Sequence, residues 1–102
     1  MQISVRATPQ SREFFIKDDF TAQDEKRFFD IFVQIRMMTE HQLIFNLSRC
    51  TEIDSAAMGM LIVAFEEAAK RNISRCIRQA PAGIENALRS VGFDRFCTFV
   101  RK

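Results

Sequence analysis

From residue 42 onward the chain alternates short apolar runs with longer segments of helical periodicity. That alternation restricts the fold more than any other feature. Gln42 to Leu47 reads as a buried strand, and Ile53 ends the approach to a helix. Ser55 to Arg71 carries Met58, Leu61, Ile62, Phe65 and Ala69 on one face, with Glu66, Lys70 and Arg71 opposite; Asn72 is a stop signal. Ile73 to Gln79 is the next strand-like run. Pro81 opens a short helix through Ser90, Gly92 closes it, and Phe93 to Val100 forms a last strand. Strands separated by helices are joined by right-handed crossovers, so this half predicts β-α-β units in a largely parallel sheet.

The first half begins differently. Met1 to Ala7 and Glu13 to Lys17 are β-rich, and Thr8-Pro9-Gln10-Ser11 between them forms turns, which predicts a hairpin. Thr21 is a good N-cap, with Asp24 three residues on in an approximate capping box. In Ala22 to Met38, Phe28, Ile31, Phe32, Ile35 and Met38 recur at helical spacing, and a shorter stripe of Phe29, Val33 and Met37 lies beside them. Such a helix is either sandwiched or leaves an apolar patch for a partner. Large exposed patches are uncommon on monomers, which favours sandwiching or self-association, including a homodimer.

Composition removes several function classes. Apolar residues are 47% and charged residues 27%, as in a soluble globular domain, and 102 residues suffice for one core. No apolar run reaches the ~18 residues of a membrane span, and no charged-then-apolar leader opens the sequence. Membrane insertion and export are therefore not expected. A net charge of +2 with basic and acidic residues interspersed gives no case for nucleic acid. Cys50, Cys76 and Cys97 are far apart and His41 is the only histidine, which excludes the usual zinc spacings; reduced thiols in the cytoplasm are the simplest reading. His41 has no partner for acyl transfer, and there is no Gly-rich phosphate loop, so neither an enzyme nor a cofactor is expected.

The junction Ile53-Asp54-Ser55-Ala56-Ala57-Met58-Gly59-Met60 sets a serine hydroxyl beside a carboxylate at a helix start. From the residues alone, Ser55 is either the N-cap or a hydroxyl open to modification. This run, with Leu43-Ile44-Phe45-Asn46-Leu47-Ser48 before it, resembles the STAS domain of bacterial anti-sigma factor antagonists. Asn72-Ile73, Pro81 to Gly92 and Phe93-Asp94-Arg95-Phe96 are similar to that family's last strand-helix-strand unit, so the resemblance covers essentially the whole chain.

The resemblance implies a single STAS domain over residues 1–102 with an α/β fold. Its sheet would be mixed and mostly parallel, of about five strands with an N-terminal hairpin, against three to four helices. It also implies partner switching: the unphosphorylated protein binds a serine kinase that doubles as an anti-sigma factor, phosphorylation ends that binding, and a metal-dependent serine phosphatase restores it. The best-known members read Asp-Ser-Ser-Gly and carry phosphate on the second serine. Ala56 stands at that position here, so the phosphate would rest on Ser55. Asn46 likewise replaces an aspartate common in the family.

The expected partner surface comprises Asp19, Arg49, Glu52, Asp54, Ser55, Ala56, Met58 and Met60. Asp19 would orient the hydroxyl, Arg49 and Glu52 would rim the surface, and Met60, off the core face, would offer an adaptable contact. STAS domains also occur as non-switching subunits of lipid or anion transport assemblies and as constitutive adaptors. Under those readings Ser55 is only a cap.

Overall fold

The computed structural model describes residues 1–102. Strands β1 (Gln2–Ala7) and β2 (Ser11–Phe20) form the expected hairpin, closed by Thr8, whose hydroxyl accepts the N–H groups of Gln10 and Ser11 at 3.2 and 3.0 Å. A 3₁₀ turn (Ala22–Asp24) leads into α1 (Glu25–Met37). Its capping box is complete: Thr21 accepts from Gln23 N–H, and Asp24 accepts from Thr21 N–H at 2.9 Å. Then follow β3 (Gln42–Ile53), α2 (Ser55–Lys70), β4 (Ser74–Arg78), α3 (Ala82–Ser90), a 3₁₀ turn (Phe93–Arg95) and β5 (Thr98–Val100). No helix is long and apolar enough to cross a membrane.

The sheet order is β1-β2-β3-β4-β5, with β1 antiparallel to β2 and the remaining pairs parallel. Because β2 to β5 lie side by side in chain order, right-handed crossovers put every connecting helix on the same face. The core confirms it. Phe28 and Ile35 of α1, Leu61 and Phe65 of α2, and Ile84 and Leu88 of α3 share one apolar cluster with Phe14, Phe45 and Ile77 of the sheet. Alternation sends Glu13, Phe15, Ile44, Asn46, Cys76 and Arg78 to the opposite, helix-free face. The phenylalanines join end to end through that core: Phe45 stacks on Phe14 and Phe28 at 5.7 and 6.0 Å and meets Phe65 edge-on at 5.5 Å.

Several boundaries differ from those expected. β2 and β3 run on to Phe20 and Ile53 through register shifts after Phe15 and Asp18, because pairing with each other continues past the apolar stretches. The last strand shrinks to Thr98–Val100, since Phe93 is drawn into the core and the chain turns there. On α2, Ala64 and Ala68 face the core while Ala69 is exposed. The helix ends as expected, with Asn72 at φ 57 donating to Ala69 carbonyl and Ile73 donating to Ala68 carbonyl, a Schellman closure. Arg71 then reaches across to the carbonyls of Ile35 and Met38, tying the ends of α2 and α1 together. Helix α1 is not sandwiched. Phe28, Ile31 and Ile35 are buried, but Phe29 and Met37 of the second stripe are 62% and 76% exposed, because all layers lie on one side of the sheet.

Candidate functional site

The junction between β3 and α2 is held by one carboxylate. Asp54 has extended backbone (φ −102, ψ 177), the conformation an N-cap requires, and its Oδ1 accepts the Ala57 N–H at 2.8 Å. Its Oδ2 accepts the Ala22 N–H at 3.0 Å, so the same side chain fastens the start of α2 to the turn after β2. The cap is therefore Asp54 and not Ser55. Ser55 is the first residue of α2, exposed, and its hydroxyl makes no hydrogen bond within the protein. The N–H groups of Ser55 and Ala56 belong to the first turn, where the helix supplies no acceptors and leaves partial positive charge. Replacing Asp54 with alanine is expected to cost about 1–2 kcal/mol, since it removes a cap and a tertiary hydrogen bond. Urea unfolding would show it, and an unchanged midpoint would contradict this account of the junction.

The surroundings of the junction are acidic. A depression of about 460 Å³ is lined by Asp19, Asp24 and Asp54 with Met1, Thr21, Ala22 and Gln23. The Met1 ammonium pairs with Asp24 at 2.9 Å, which leaves Asp19 and Asp54 as its uncompensated carboxylates. Asp19 accepts the Thr51 hydroxyl at 2.6 Å and lies in register with Glu52 across β2 and β3. Asp19, Glu52, Asp54, Ser55 and Ala56 thus belong to one end of the molecule. Met60 is half-buried and lies one turn further along α2, in an apolar groove of about 1000 Å³ between α1 and α2 that is also lined by Phe29, Phe32, Gly59 and Val63. Phe29 and Val63 were not among the expected site residues; the second stripe on α1 was the signal for Phe29, and no stripe pointed to Val63 on α2.

Two expected surface residues are elsewhere. Met58 is half-buried and packs against the core, on the Leu61 face as its spacing implied. Arg49 is in register with Lys17 on the helix-free face and lines a different cleft, because the shift between β2 and β3 after Phe15 changes which β3 residues face that way.

The thiols have no reactive setting. Burial raises the pKa of Cys50 and Cys76, and burial together with the neighbouring Cys76 pushes Cys97 up to about 12. All three should resist a thiol reagent at pH 8 in the native protein and react on unfolding. Rapid labelling of the folded protein would contradict this.

The comparisons with known proteins agree with this architecture. The chain superposes on the anti-sigma factor antagonist SpoIIAA in its unphosphorylated form with a TM-score of 0.79 at 12% identity, covering 99% of this chain and 89% of that one. The Bacillus cell fate determinant SpoIIAA in the phosphorylated form gives 0.77 at 12% identity, covering 99% and 93%. A candidate anti-sigma factor antagonist from Thermotoga maritima gives 0.88 at 11% identity, covering 98% and 86%. At such identities these likenesses establish the fold. No curated protein sequence matches the chain significantly. The STAS domain family model, however, matches residues 4–102, nearly the full length, and the chain belongs to the STAS domain family.

Proposed function

We propose that this protein is an anti-sigma factor antagonist-like regulator of a bacterial partner-switching pathway, acting in the cytoplasm without catalysing a reaction. Its partner is a serine kinase that doubles as an anti-sigma factor, and a metal-dependent serine phosphatase resets the switch. The observation that carries the reading is the freedom of Ser55: Asp54 has taken the cap, so the exposed hydroxyl at the first position of α2 has no structural duty. The likeness to a protein solved in both phosphorylated and unphosphorylated forms supports it.

The docking surface comprises Asp19, Glu52, Asp54, Ser55 and Ala56, continuing to Met60. Its carboxylates favour a partner with cations at the rim. A phosphoryl group on Ser55 brings roughly −1.5 to −2 charge beside Asp54, and a partner seated over it would have to desolvate that charge. Incubation with a serine kinase of the anti-sigma type and ATP, followed by mass spectrometric mapping, tests the reading. Phosphate on Ser55 that is lost in Ser55→Ala supports it; phosphate confined to other residues, or none, sinks it and leaves a non-switching adaptor or transport subunit.

A further inference from the structure

The helix-free face of the sheet carries a cleft of about 390 Å³ over the middle of β2 and β3, closed by β1 on one side and Gln79 on the other. Lys17 and Arg49 stand opposite each other in register across β2 and β3 and both line this cleft. Like charges directly opposite in a sheet destabilise it, and here no carboxylate compensates: neither residue takes part in an ion pair. The pairing exists only because the register shifts after Phe15, so that β3 advances from Asn46 to Arg49 while β2 advances from Phe15 to Lys17. Such irregularities re-aim side chains and are over-represented beside functional sites.

The wall of the cleft is polar and ordered. Asn46, 5% exposed, accepts the Ser48 N–H on Oδ1 at 3.0 Å and donates from Nδ2 to Glu13 at 3.0 Å and to Gln79 Oε1 at 3.4 Å. Gln79 is held at φ 58, a left-handed backbone that residues other than glycine seldom adopt, and with Oε1 engaged its amide retains donors. Glu13, the nearest acid in this network, is already used by Arg78 at 3.0 Å. Two cations outside any ion pair, a hydroxyl and an amide donor line the same cleft as the half-buried ring of Phe15.

We propose that this cleft binds a phosphate anion, free or as a small monoester whose organic part lies on Phe15. Lys17 and Arg49 neutralise the charge, and Ser48 and Gln79 supply hydrogen bonds. The volume lies within the small-molecule range and leaves room for an ester group. The site is separate from Ser55 and does not depend on the switch reading.

The test is a titration of the ¹⁵N-labelled full chain, followed by NMR, with inorganic phosphate, glycerol 3-phosphate, and potassium chloride at matched ionic strength. Saturable shifts at Lys17, Ser48, Arg49 and Gln79 with either phosphate probe, absent with chloride, are expected. Tighter binding of glycerol 3-phosphate identifies an ester as the occupant, and equal binding identifies the free ion. Lys17→Gln and Arg49→Gln should each weaken binding about tenfold or more, and both residues are exposed, so the fold should survive. Shifts that fail to saturate below about 10 mM, or that persist unchanged in both variants, overturn the proposal.

Discussion

Replacing Ser55 with aspartate is expected to weaken binding to the proposed kinase partner at least about 100-fold while leaving the fold intact. The two halves of that expectation have separate causes. The fold is spared because Ser55 holds nothing: the cap and the bond to Ala22 both belong to Asp54. A carboxylate in the first turn of a helix even gains about 0.3–1 kcal/mol from the positive end of the dipole. Binding suffers because a partner covering the start of α2 would bury an additional charge, and about 2.7 kcal/mol of uncompensated desolvation already amounts to 100-fold. Ser55→Ala should bind like the wild type. Calorimetric titration beside a thermal melt separates the effects, and wild-type affinity in the Ser55→Asp protein would end the switch reading.

The largest effect on stability is expected at Phe45. Truncation to alanine should cost about 3–5 kcal/mol, a large share of the ~5–15 kcal/mol that stabilises a typical domain. The ring is fully buried and bridges the sheet to both long helices, stacking on Phe28 of α1 and meeting Phe65 of α2 edge-on. Its removal leaves a cavity that neighbours stiffened by the same ring packing cannot fill. Phe29→Ala is the contrasting control. That ring is 62% exposed, so its loss should change stability by less than about 0.5 kcal/mol while opening the groove between α1 and α2 further. Urea midpoints compare the two, and a loss below about 1 kcal/mol at Phe45 would mean the core is not organised around it.

Short-range signals read correctly wherever short-range physics decides. The capping box at Thr21 and Asp24 and the closure at Asn72 each involve residues within a few positions of one another, so residue type and spacing suffice. The cap at the start of α2 shows the limit. Asp54 and Ser55 are adjacent and both are good N-caps, and the outcome turns on which has extended backbone. The bond from Ala22, 32 residues away in sequence, helps to hold Asp54 in that role. The Glu13–Arg78 pair spans 65 residues, and no local pattern announces it.

By itself, the sequence determined the order and type of the elements, the parallel second half, the family, and Ser55 as the one hydroxyl of the run Ile53 to Met60. Periodicity and punctuation are local and suffice for the elements, while the family rests on the resemblance carried by the run around Ser55. Only the tertiary structure decided that α1 has an outward apolar stripe, that Asp54 rather than Ser55 caps α2, and that Lys17 faces Arg49. These depend on strand order, register and layer count, which are set when distant segments compete for one core and which single-residue shifts along a strand can change.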